Sequence, residues 1–131
     1  MVLVTAPAYT DRPDWSAAVA KVSQVYSMQA QCFTLHATSI ISQEAIEKMG
    51  VQQTGVFSKP GGGDAAIFGP DGRKLTENLA PTEEGLVYAD LDLDLIVKEK
   101  TYLDTVGHFS RPELLWLGRN TKDQKIVRTQ S

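Results

Sequence analysis

From Val22 to Gln43 the chain carries no charged side chain. An uncharged run of that length belongs either in a bilayer or in a protein interior. Ser, Gln, Thr and His interrupt it throughout, and its apolar spacing changes partway along. A helix face running into an interior strand accounts for it better than a membrane span.

The segments on either side fit that reading. Val2-Leu-Val-Thr-Ala6 is a short β-branched run ended by Pro7, as expected of a buried strand. Asp11-Arg-Pro-Asp14 supplies a turn and a helix start, with Asp14 as N-cap. Trp15, Val19, Val22, Val25 and Tyr26 then recur at spacings of three and four and predict one apolar helical face. Cys32 to Thr38 reads as a second strand. Ser42 to Met49 reads as a short helix capped by Ser42 and stopped by Gly50. Ala65 to Phe68 leads into Gly69-Pro-Asp-Gly72, a turn composition, with a return strand from about Arg73. Leu86 to Asp92 is a further strand, followed by a helix from about Leu93 to Leu103 with Asp92 as cap. Residues 121–131 read as a frayed polar tail. The sum is an α/β unit of four or five strands.

The chain has 131 residues, room for one domain and not two. A net charge of -3 leaves no basic footprint for nucleic acid. The single cysteine rules out an internal disulfide and suits a reducing compartment. No signal peptide is legible, because Met1-Val-Leu-Val lacks a cationic flank and stops at Pro7. The expected location is cytoplasmic, with neither a membrane nor a nucleic acid as partner.

Few residues suggest chemistry. Cys32 and His36 invite a nucleophile–base reading, but four residues of strand separate them by about 13 Å. A base has to come within about 3 Å of the thiol, so Cys32 is read as a buried core cysteine. Gly61-Gly-Gly63 lacks the helix N-terminus that gives a phosphate cradle its strength, and is read as a flexible lead-in to the hairpin. Asp90, Asp92 and Asp94 alternate with Leu91, Leu93 and Leu95, as a half-buried strand running into a capped helix would, so no metal site is read there. His108 belongs to no Cys/His cluster.

Three longer segments carry more information together. They are Gly61-Gly-Gly-Asp-Ala-Ala-Ile-Phe-Gly-Pro-Asp-Gly72, Glu83-Glu-Gly-Leu-Val-Tyr-Ala-Asp-Leu-Asp92 and Asp104-Thr-Val-Gly-His-Phe-Ser-Arg-Pro112. In that order they resemble the C-terminal portion of a nitrilase, of the branch that converts aliphatic, aryl and cyanide substrates. Tyr26-Ser-Met-Gln-Ala-Gln-Cys-Phe33 resembles a further family segment in which the cysteine is structural. Gln29 stands there in place of the usual Glu, and Ala30 in place of Gly. The resemblance covers about Val2 to Asn120.

It implies a partial nitrilase-like α-β-β-α sandwich and no cofactor. It also implies assembly as a homo-oligomer or with full-length nitrilase subunits, and a nitrile substrate for the parent enzyme. The family's chemistry uses a Cys thiolate, a Glu that moves protons and a Lys that steadies the tetrahedral intermediate. All three lie upstream of the matched region, so no residue here is assigned a catalytic role. Ala8 and Tyr9 are expected to line the substrate pocket. Gly107, His108, Ser110 and Arg111 are expected to serve structure or subunit contact. Three readings of the function follow: a truncated, inactive nitrilase, a non-catalytic interaction subunit, or a small drifted ligand-binding domain.

Overall fold

A short apolar strand, a helix and a second strand open the fold in the order their residues predict. The computed structural model describes residues 1–6, 13–53 and 55–121. Strand β1 (Val2–Ala6) is followed by helix α1 (Pro13–Ala30), β2 (Thr34–Thr38), helix α2 (Gln43–Met49), a 3-10 turn (Gly55–Phe57), β3 (Ala66–Phe68) and helix α3 (Asp94–Tyr102). The sheet order is β1-β2-β3. β1 and β2 are parallel, with Val2 beside Thr34 and Ala6 beside Thr38. β3 runs antiparallel to β2, with Thr34 beside Phe68 and His36 beside Ala66.

Local chemistry sets several boundaries. Pro13 is the first residue of α1, where a missing N–H costs nothing and the fixed φ suits a helix. Asp14 therefore sits in the first turn, not at the N-cap. α1 ends where Gln31 adopts φ 48, and the Cys32 N–H donates back to the Ser27 carbonyl at 3.1 Å. Ser42 caps α2 as expected, its Oγ accepting from the Ala45 N–H at 3.1 Å, and Gly50 closes it at φ 67, a left-handed conformation that favours glycine. Asp92 accepts from the Asp94 N–H at 3.0 Å, one residue before the formal cap Leu93.

Alternation along β2 assigns the two faces of the sheet. His36 Nδ1 lies 3.0 Å from Ser23 Oγ on α1, so His36, Thr34, Ala66 and Phe68 face the helix. Leu3, Leu35 and Ile67, side by side in the register, form a row on the opposite face. The core is small: Phe33 and Ile46 are fully buried, Ile67 is buried, and Ala20, Ala66 and Phe68 form one cluster.

The apolar face expected to bury α1 is not the face that does. Ala20, Ser23 and Ser27 turn inward, because small side chains let the helix approach Ala66 and Phe68 closely. Gln24 Nε2 also donates to the Gly72 carbonyl at 2.7 Å, tying the helix to the 69–72 turn. Trp15, Val22, Val25 and Tyr26 consequently stand on the outer side, Val22 being 68% exposed.

Among the described residues the sheet holds three strands rather than four or five. After the Gly69–Gly72 turn the return is a single bridge, Phe68 with Lys74, plus the Leu75 N–H donating to the Ile67 carbonyl at 2.8 Å. Residues 86–92 form no strand, and Leu86 and Tyr88 are exposed. An extended run becomes a strand only when a neighbour offers its backbone, and none lies alongside. Cys32 is half-buried, not a core residue. No helix of the described residues is long and apolar enough to cross a membrane. Residues 122–131, read as a polar tail, lie outside the described residues.

Candidate functional site

Two parallel neighbours carry their C-terminal ends to the same side of the sheet, here Ala6 and Thr38. In open α/β sheets ligands bind outside such ends. A crevice of about 400 Å³ lies among the first turn of α1 (Ser16, Ala17), the Pro60–Asp64 loop, and Asn78, Leu79 and Pro81. That volume suits a small molecule.

The loop that walls it is pinned, not flexible. Ile41 and Gly61 exchange both backbone hydrogen bonds, at 2.9 and 3.0 Å, and the Gly63 N–H donates to the Pro81 carbonyl at 2.9 Å. The Asp64 N–H donates to Thr38 Oγ1 at 2.8 Å, fastening the loop to the end of β2. Gly61 and Gly62 sit at φ 135 and 98, which side chains other than glycine's adopt only at a cost. At Gly63 a Cβ would meet the Pro81 carbonyl oxygen at 3.0 Å. The glycines are there so that two backbones can touch.

The crevice offers Ser16, Asp64 and Asn78 as polar groups beside an apolar rim of Pro60, Leu79 and Pro81. Such a site can bind and orient a ligand. Among the described residues it contains no cysteine, histidine or lysine, and Lys74 Nζ donates to Asn78 Oδ1 from outside. Cys32 lies elsewhere, its Sγ 4.0 Å from Thr34 Oγ1, while His36 is engaged with Ser23. The Cys–His pairing already rejected on strand spacing is absent. Among the described residues no group of His, Cys, Asp and Glu could hold a metal ion.

A second, shallower trough of about 240 Å³ runs over the row of Leu3, Leu35 and Ile67 and is rimmed by Leu86 and Val87. On this face of the sheet Leu3 is exposed while Ile67 is buried.

Of the residues singled out from the sequence, Ala8 and Tyr9 lie outside the described residues. Gly107, His108, Ser110 and Arg111 form an exposed turn away from both cavities. There Asp104 Oδ1 accepts from the Gly107 N–H at 2.9 Å and the Val106 N–H at 3.1 Å. The Gly107 N–H acts most strongly, and together with the Val106 N–H and the Lys100 and His108 charges it outweighs an opposing burial effect and holds the Asp104 carboxyl below the usual range. Ser110 donates its N–H to the Gly107 carbonyl, and Arg111 pairs with Glu113. Ser16, Asp64, Asn78 and Leu79 were not legible as site residues. Only the three glycines signalled a close backbone approach there.

Comparison with known proteins extends this picture. The family model described as carbon-nitrogen hydrolase matches residues 2–100. An arylacetonitrilase of Aspergillus oryzae is 48% identical over 107 residues, covering 82% of this chain and 32% of that protein. An arylacetonitrilase of Aspergillus kawachii is 44% identical over 113 residues, covering 86% and 34%. One from Hypocrea virens is 44% identical over 109 residues, covering 83% and 33%. The chain spans about a third of the length of the curated relatives it matches.

Proposed function

The chain belongs to the carbon-nitrogen hydrolase family, and from that premise we propose that it forms the C-terminal sheet-and-helix portion of a nitrile-converting enzyme. Its crevice beyond β1 and β2 supplies part of the substrate pocket, and the substrate of the whole enzyme is an arylacetonitrile. One observation carries the reading: among its described lining residues the crevice presents binding groups and an apolar rim without a thiol, an imidazole or an amine. A pocket wall has that make-up when the reacting groups come from elsewhere. The Pro60, Leu79 and Pro81 rim suits a flat aromatic ring, and the relatives matched are arylacetonitrilases.

In this reading the chain alone does not turn over nitriles. Attack on the nitrile carbon needs a thiolate that forms a covalent thioimidate, a proton-transferring carboxyl and a stabilising cation. Groups of this kind act as a unit, and losing the nucleophile removes nearly all of the effect. The half-buried Cys32, its sulfur 4.0 Å from the Thr34 hydroxyl, does not replace it.

Incubating the purified chain with phenylacetonitrile and a panel of aliphatic nitriles tests this. Neither ammonia nor amide is expected above the blank, and release of either overturns the reading. Co-expression with the upstream part of the Aspergillus oryzae relative is the positive arm. Recovered turnover supports a pocket-wall role, and none while the two parts co-purify argues against it.

The exposed Leu3 and half-buried Leu35 on that face of the sheet favour a second reading, a non-catalytic subunit that docks on a full-length relative. Co-elution with such a relative tests it, and independent migration excludes it.

A further inference from the structure

Helix α1 grips the Gly69–Gly72 turn with two side chains one helical turn apart. Gln24 Nε2 donates to the Gly72 carbonyl at 2.7 Å, and Met28 lies over the same residue. A Cβ on Gly72 would meet Met28 Cγ and Sδ at 2.6 Å, so the thioether fills the space that a side chain would take. Gly72 adopts φ 80, in the left-handed region that favours glycine, and it is buried although it lies in a turn. Met28 itself is 49% exposed. Its side chain covers backbone on one side and meets water on the other.

The chain has three methionines. Met1 and Met49 are also exposed, at 77% and 55%, and exposure opens a thioether to oxidants. Met28 adds to exposure a contact with the backbone of another element. Oxidation changes what that contact is. A thioether is soft and apolar and packs on a glycine without needing a partner, whereas a sulfoxide is polar and its oxygen accepts hydrogen bonds. The backbone donors of the turn are engaged. The Gly72 N–H goes to the Gly69 carbonyl at 2.9 Å, and the Arg73 N–H to Asp71 Oδ1 at 3.1 Å. The Gln24 carbonyl oxygen, 3.9 Å from the same Cβ position, is another acceptor and repels the new oxygen. Water on the exposed side serves the sulfoxide better, and turning toward it uncovers Gly72 and the Gln24 bond.

We propose that Met28 is a peroxide-sensitive clasp between α1 and the Gly69–Gly72 turn, opened by oxidation to the sulfoxide and closed again by reduction. Hydrogen peroxide transfers one oxygen atom to the sulfur and leaves as water. A dithiol reductant removes that oxygen as water and becomes a disulfide, so two electrons pass in each direction. The proposal does not rest on the enzymatic reading, and a nitrile assay can fail while the clasp stands.

Brief treatment of the whole chain with hydrogen peroxide, followed by peptide mass mapping, thermal melts and amide exchange, tests it. Met28 is expected to gain one oxygen, the melting temperature to fall by roughly 4 °C, and the Gly72 amide to exchange faster. Methionine sulfoxide reductase with dithiothreitol is expected to restore both readings. Met28→Leu, close in volume and inert to peroxide, is expected to show neither change after treatment, although Met1, Met49 and Cys32 remain. Met49→Leu is expected to respond as the native chain does. An oxidised native chain with an unchanged melt and unchanged Gly72 exchange overturns the proposal. So does an equal shift in Met28→Leu, or a Met28 that stays unoxidised while Met1 and Met49 react.

Discussion

Protonating His36 perturbs the seam between α1 and the sheet, and its effect can be worked out in advance. The ring is 2% exposed, with Nδ1 3.0 Å from Ser23 Oγ and Nε2 without a partner among the described residues. Burial lowers its pKa below the ordinary 6.5; the Asp64 charge opposes this and the Lys74 charge adds to it. With the folded value below the unfolded one, the unfolded chain takes up the proton first as the pH falls. The stability that the neutral ring contributes is full above about pH 6.5 and is lost as the pH drops from there toward the folded value. One proton sets the steepest slope, about 1.4 kcal/mol per pH unit, or roughly 5 °C of melting temperature per unit for a domain of this size.

Two carboxyls, Asp71 and Asp104, belong to a more acidic window. At Asp71 burial acts upward, but the Arg73 backbone N–H, its guanidinium bond and its charge outweigh it and leave the carboxyl below 3.8. Asp104 is likewise held below 3.8. The chain's other histidine, His108, is exposed at a turn. Thermal melts by circular dichroism from about pH 7.5 to about pH 5 on the native chain and on His36→Leu make the comparison. The native melting temperature is expected to fall across that range while that of His36→Leu stays flat. In the variant the Ser23 hydroxyl can turn back to a carbonyl of its own helix. An equal slope in both proteins would refute the reasoning.

Two further outcomes follow from the packing. Phe33 is fully buried at the head of β2, and its carbonyl accepts from the Val2 N–H at 2.9 Å. Phe33→Ala is expected to cost about 3–5 kcal/mol, enough to abolish a cooperative melt in a core this small. Ser42→Ala removes the side-chain cap at the start of α2 and is expected to cost about 1 kcal/mol, read as a lower urea midpoint with an unchanged slope.

The local features were legible because each is decided within a few residues. The β-branched run of β1, the Ser42 and Gly50 caps of α2 and the Gly69-Pro-Asp-Gly72 turn depend on their own side chains and φ preferences. The ordered series of motifs from Gly61 to Pro112 pointed to the family, which the match over residues 2–100 shows. The crevice was not legible. Ser16, Asp64, and the adjacent Asn78 and Leu79 come from three separate stretches and meet only through the Ile41–Gly61, Gly63–Pro81 and Thr38–Asp64 hydrogen bonds. The glycine run, read as a flexible lead-in, is instead fixed by those bonds.

The amino-acid sequence by itself determined that α1 has an apolar stripe and that residues 86–92 can extend. It could not say which face of the helix meets the sheet or whether the extended run finds a partner. The tertiary structure decided both. Ser23 and Ala20 bring the helix close to His36 and Ala66, which turns the larger Val22 and Tyr26 outward, and Leu86 and Tyr88 stay exposed because no neighbouring backbone completes their ladder. Propensity is a property of a segment, whereas burial and pairing belong to what lies across from it.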